Sequence, residues 1–93
     1  MVHAFVLIDA DVPRIAPLCE DLAATEGVTE VFSVAGGVTD IIAIVRVRHH
    51  EELADVVTRR IAALDGIQET TTLVAFQAYS RHDLETMWDI GPA

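Results

Sequence analysis

Between Val31 and Val47 the chain reads VFSVAGGVTDIIAIVRV, two runs of β-favouring residues joined by a glycine pair. Val, Ile and Phe dominate both runs and suit a pleated, packed surface. Gly36 and Gly37 stand where the chain must reverse, because glycine alone enters φ > 0 without steric cost. The second run is apolar on both sides, with Ile41, Ala43 and Val45 alternating with Ile42 and Ile44. A strand that is apolar on both faces has to be covered on both faces, which limits the folds open to this chain.

The first strand, Val2 to Ile8, shares that property: Val2, Ala4, Val6 and Ile8 alternate with His3, Phe5 and Leu7. A helix is expected from about Ile15 to Thr25, its apolar stripe formed by Ile15, Leu18, Cys19, Leu22 and Ala23. Pro13 and Pro17 fall near its first turn, where proline is tolerated, and Gly27 stops it. Val28–Val34 and Asp40–Val47 are strands two and three. The second helix begins near His50, with Glu51 and Glu52 in its first turn and Arg59 and Arg60 near its last, as the helix dipole favours. Asp55 and Arg59 are spaced to pair, and Leu53, Val57, Ile61 and Leu64 form the buried stripe. A fourth strand is expected over Ile67–Tyr79. Ser80-Arg81-His82-Asp83 then reads as the cap of a short C-terminal helix carrying Leu84, Met87 and Trp88.

The order β-α-β-β-α-β, two right-handed crossover units sharing one sheet, predicts an α+β, ferredoxin-like sandwich. It is an antiparallel four-stranded sheet with both helices on one face. Residues 1–79 form the domain and 80–93 a helical tail. Two helices hide only one face, yet strands one and three are apolar on both. Burying a large aliphatic side chain is worth roughly 1.5–3 kcal/mol, and extensive apolar patches are rare on monomers. A homo-oligomer built on a sheet-to-sheet dimer is therefore expected.

Composition excludes several classes. At 93 residues the chain is one domain. Its single cysteine, Cys19, permits no internal disulfide and suits a reducing cytoplasm. No apolar stretch is long enough to span a membrane, and Met1-Val2-His3-Ala4 lacks the basic start of a signal peptide. Six basic residues against fifteen acids, a net charge of −9, argue against direct nucleic-acid binding, which depends on neutralising phosphates. His49 and His50 point in different directions with no third ligand, and His3 and His82 are isolated, so neither metal nor cofactor is expected. Cys19 reads as a core residue, and Leu84, Met87 and Trp88 as a covering or interface stripe.

Several segments together resemble the effector-binding (RAM) domain of the Lrp/AsnC family. They are Glu30-Val31-Phe32-Ser33-Val34-Ala35-Gly36, Gly37-Val38-Thr39-Asp40-Ile41-Ile42, Val45-Arg46-Val47, and Leu64-Asp65-Gly66-Ile67 running into Thr70-Thr71-Thr72. The likeness covers residues 2–79 and departs from the family pattern at the doubled glycine and at Thr39, where an aromatic is usual. It implies a stand-alone effector domain without the helix-turn-helix module, since Met1 opens directly on the first strand. Dimers, commonly assembled as tetramers of dimers (octamers), and amino acids bound between dimers are also implied. The residues themselves allow such a site. Amides around Gly36 and Gly37 can form an anion-accepting nest for an α-carboxylate. Asp40 can take the α-ammonium, and Thr70 and Thr72 can donate hydroxyls, brought close by a subunit interface. Plainer roles stand beside these: turn chemistry for Asp40 and the glycines, and strand propensity for the threonines.

Three functions are thus open. The first is a non-catalytic amino-acid-sensing and oligomerising domain that modulates transcription through full-length Lrp/AsnC-type regulators. The second is a small enzyme of the dimeric α+β barrel type, for which His3 is the only suitable strand residue. The third is a purely structural adaptor acting through the tail.

Overall fold

A computed structural model describes residues 1–81. The elements are β1 (Val2–Ala10), α1 (Ile15–Ala23), β2 (Val28–Ser33), β3 (Ile41–Val47), α2 (His50–Asp55) and β4 (Ile67–Val74). A 3-10 turn, Val12–Arg14, leads into α1, and α2 continues as a π-helix over Val56–Ile61. The strands lie in the order β2-β3-β1-β4, with every neighbour antiparallel. This is the ferredoxin-like arrangement that the element order predicts.

One set of alternating residues builds the core. Ala4, Val6 and Ile8 of β1 and Ile41, Ala43 and Val45 of β3 have no exposed surface, and they pack against Leu18 and Leu22 of α1 and Leu53, Val56 and Ile61 of the second helix. Both helices therefore cover the same face. Gly27 lets β2 approach that layer: its φ is +96°, and a Cβ there would meet Val56 Cγ2 at 2.7 Å.

Among the described residues, nothing covers the other face. Its register aligns Phe32, Ile42, Leu7 and Thr71 in one row across all four strands, and Glu30, Ile44, Phe5 and Leu73 in the next. Phe5, Phe32 and Leu73 are exposed to 39%, 47% and 50%, so an apolar centre faces outward. Polar groups rim it: Asp9 lies opposite Glu69 at one end and His3 opposite Arg46 at the other.

Four expectations are corrected. The fourth strand stops at Val74 rather than Tyr79, because β1 begins at Val2 and runs out of ladder. Val74 pairs with Ala4, the Ala75 amide still donates to the His3 carbonyl, and Phe76 and Tyr79 stand exposed. β1 runs on to Ala10, with a register shift after Asp9 that brings Ala10 opposite Ile67. In the second helix the buried positions are Leu53, Val56 and Ile61, with Val57 and Leu64 only half-buried. The five-residue step from Val56 to Ile61 is the i→i+5 spacing of a π-helix. Ala23, placed on the α1 stripe, is exposed. The C-terminal helix with Leu84, Met87 and Trp88 lies outside the described residues.

Candidate functional site

The glycine turn sits at one end of the sheet, where β1 ends and β3 begins. Gly36 and Gly37 have φ of +151° and +83°, and nothing lies within 4 Å of where their Cβ atoms would be. The turn is open, and backbone conformation rather than crowding calls for glycine there. Among the described residues, no protein acceptor takes up the amides of Ala35, Gly36, Gly37 and Val38.

Asp40 ties three strands together. Its amide donates to the Ile8 carbonyl at 3.1 Å, and its carbonyl accepts from the Val34 amide at 2.9 Å. Its carboxylate Oδ2 accepts from the Ala10 amide at 3.0 Å. Regular β1–β3 pairing ends at Ile8 and Ile41, and the carboxylate gives the next amide on that side of β1 the acceptor the ladder no longer supplies. The Thr39 hydroxyl donates to the Ile8 carbonyl at 3.0 Å and lies 3.3 Å from that of Ile41. Asp40 is half-buried, and its second oxygen, Oδ1, has no protein donor among the described residues. An ionised carboxylate accepts at both oxygens, so capacity remains after the structural bond is made.

Thr70 and Thr72 arrive at the same end by a different route. Thr70 pairs with Ile8 and Thr72 with Val6, so β1 lies between these threonines and the glycine turn. Two strand spacings, about 9–10 Å, separate β4 from β3. Thr70 is exposed and Thr72 half-buried, on the helix-side face of the sheet edge. The protomer thus sets Asp40 and Thr70 on either side of Ile8, with Gly36 and Gly37 in the turn that leads to Asp40 and Thr72 two residues further along β4.

Elsewhere the side chains have structural assignments. Asp55 holds both Arg59, at 3.2 Å, and Arg60, at 3.0 Å; sequence spacing indicated only the first. Cys19 is half-buried on α1, and burial raises its thiol pKa. Among the described residues, no group of three or more His, Cys, Asp or Glu side chains is arranged to hold a metal ion, and no helix is long and apolar enough to cross a membrane. What sequence reasoning missed is a cavity of about 480 Å³ at the opposite end of the sheet, between Gly27, the end of β3 and the π-helix. Its only trace in the sequence is the alternation of Arg46 and Arg48 about Val47.

Known proteins place this architecture. A Thermus thermophilus protein, TTHA0845, superposes with a TM-score of 0.80 and 47% identity, covering 87% of this chain and 100% of that one. A feast or famine regulatory protein of M. tuberculosis, solved in complex with L-methionine, superposes with a TM-score of 0.70 and 26% identity over 87% of this chain and 54% of that one. An uncharacterized HTH-type transcriptional regulator of Pyrococcus abyssi is 34% identical over 71 residues, which is 76% of this chain but 44% of that regulator's length. The family model for the Lrp/AsnC ligand binding domain matches residues 3–84. With its fold, its Gly-Gly-x-x-Asp turn and its open sheet accounted for, the chain belongs to the Lrp/AsnC ligand binding domain family.

Proposed function

We propose that this chain is a non-catalytic, amino-acid-sensing and oligomerising domain that acts in the cytoplasm on transcription through full-length regulators of its family. The family is regulatory rather than catalytic. The observation that carries the assembly is the uncovered sheet face, where Phe5, Phe32 and Leu73 surround half-buried Leu7, Ile42 and Ile44. An apolar centre with a polar rim is the anatomy of a protein interface, and a second copy presenting the same face satisfies it by two-fold symmetry. Sheet-to-sheet dimers then associate further, and the 80–93 tail is an addition to the 1–79 domain rather than part of its core.

Sensing is supported by the turn. Free amides beside Gly36 and Gly37 suit an α-carboxylate, and the spare Oδ1 of Asp40 suits an α-ammonium. The M. tuberculosis relative was solved with L-methionine, a ligand of that chemistry. Thr70 and Thr72 complete the site when a neighbouring subunit brings them within reach.

Sedimentation equilibrium at micromolar protein, with and without each of the twenty amino acids at millimolar concentration, tests both halves, with calorimetry in parallel. A mass at least twice that of the protomer is expected, with heat or a mass change for one or more amino acids. A lone protomer would remove the assembly. A silent panel would remove the sensing.

A further inference from the structure

β4 has more chain than ladder. Its last backbone bond to β1 is the Ala75 amide donating to the His3 carbonyl at 2.9 Å, because β1 begins at Val2. Beyond it, Phe76-Gln77-Ala78-Tyr79 runs on as an arm. The Tyr79 hydroxyl donates to Gln77 Oε1 at 3.3 Å, so side chains two residues apart share one side, as they do in a strand. Phe76 is fully exposed and Tyr79 is 70% exposed. Among the described residues, no acceptor takes up the amides of residues 76–79. The arm also holds no charge and no proline, the devices that keep an exposed strand from pairing.

The opposite edge of the sheet is open too. The strand order β2-β3-β1-β4 puts β2 there. Glu30 and Phe32 sit opposite Ile44 and Ile42, and the Val34 amide donates to the Asp40 carbonyl, so the even-numbered residues turn their backbone groups to β3. Alternation then points the amides and carbonyls of Val31 and Ser33 outward. Among the described residues, no strand lies against them. Residues 75–79 span about 17 Å of strand and the six residues of β2 about 20 Å, so the two lengths match.

We infer that residues 75–79 add as an antiparallel strand to the free edge of β2 in a second copy, which returns its own arm to β2 of the first. This rests on the face-to-face assembly proposed above. Facing sheets cross at an angle, and in orthogonal packings the corners are made by strands that pass from one sheet into the other. A strand that overruns its own sheet, as β4 does, is placed to turn such a corner. The two-fold exchange uses both edges of both sheets and closes eight strands into a barrel with no edge left. With eight strands every neighbour stays antiparallel, as the pairs within the protomer are. Pairing β4 with β4 in one continuous sheet also occupies the arm, but it does nothing for Phe5, Leu7, Ile42 and Ile44 on the open face. Alternation along β4 puts Gln77 and Tyr79 on the side of Thr71 and Leu73, so Tyr79 joins the apolar layer between the sheets. Phe76 falls on the helix side, with Val31 of the partner subunit.

Hydrogen exchange read amide by amide by NMR on the full chain, with sedimentation equilibrium in parallel, tests this. The comparison is with Leu7→Glu, which puts a charge at the centre of the open face. Val31, Ser33 and one alternate pair of the arm, Phe76 with Ala78 or Gln77 with Tyr79, should exchange on the order of a hundredfold slower in the native assembly. Phe76→Asp/Tyr79→Asp charges the arm without touching the core, since both side chains are exposed, and should raise the dissociation constant at least about tenfold. A native chain that sediments as a lone protomer overturns both the sheet-to-sheet reading and this one. A native assembly whose arm amides exchange as fast as in Leu7→Glu overturns this one alone, as does an unchanged dissociation constant in the arm variant. Protection at Thr70, Thr72 and Val74, the outward amides of β4, in place of Val31 and Ser33 would show that β4 pairs with β4 and overturns it as well.

Discussion

Replacing Leu7 with glutamate puts a carboxylate at the centre of the open sheet face. Leu7 is half-buried, with Ile42 beside it on β3 and Thr71 on β4. Along β1 the next residues on this face are Phe5 and Asp9, and Asp9 lies opposite Glu69, so the new charge has acids rather than bases near it. Arg46 is opposite His3, beyond Phe5 at the other end of the face. A two-fold dimer buries the substitution twice. An uncompensated buried charge costs about 3–5 kcal/mol, so the pair costs about 6–10 kcal/mol. Each 1.4 kcal/mol is tenfold, so the dissociation constant rises by about ten-thousandfold or more. The protomer itself tolerates the change, because the core-facing neighbours Val6 and Ile8 lie on the other side of the strand and are untouched. Sedimentation equilibrium at micromolar protein should give an assembly for the native chain and for Leu7→Ala, and the protomer mass for Leu7→Glu, with unchanged circular dichroism. If Leu7→Glu sediments with the native mass, the open face is not where the copies meet and the reasoning fails.

Other substitutions examine the protomer. Asp40→Ala leaves the Ala10 amide without its acceptor and should destabilise by about 1.5–3 kcal/mol in urea unfolding; Asp40→Asn keeps an acceptor oxygen and should cost less. Gly27→Ala combines a φ of +96° with a 2.7 Å approach to Val56 Cγ2 and should cost about 2–4 kcal/mol. Gly37→Ala, with a φ of +83° but open space, should cost only about 1–2 kcal/mol, and equal losses at the two glycines would discard the packing argument. At Cys19, burial raises the thiol pKa above that of a free cysteine, so the reactive thiolate is scarce at neutral pH. Alkylation by iodoacetamide should therefore run slower than for a free cysteine at the same pH and need more alkaline solution to match it; equal rates across the pH range would show the thiol to be open to solvent.

How far the sequence discloses this molecule depends on whether a feature is local. The two faces of β1 and β3 follow from a period of two: Ala4, Val6 and Ile8 with Ile41, Ala43 and Val45 are buried, and Val2, in the same alternating set, is partly so. Val56 and Val57 are alike to a helical pattern, and a 3.6-residue period selects Val57; the π-turn selects Val56 instead. The role of Asp40 and the cavity beside Gly27 are non-local. The Ala10 amide that Asp40 holds is thirty residues away and lies just past the last β1–β3 pair, an ending that no residue type announces. The cavity beside Gly27 is lined from β3, α2 with its π-helical continuation, and the segment before β2, so no single stretch of the chain discloses it.

The remaining disagreement has a different cause. Strand propensity extends β4 through Phe76 to Tyr79, and among the described residues no strand pairs with them once β1 has ended. The outward residues of β1 and β3, Phe5, Leu7, Ile42 and Ile44, likewise carry apolar side chains that no layer among the described residues covers. Both sets are apolar where the described residues put no second layer over them, and local preference and tertiary structure in a well-specified chain normally agree. The conflict resolves if the folding unit is larger than one protomer. The pattern in the chain then describes the assembly, and the residues that look misplaced in a single copy are those that a second copy covers.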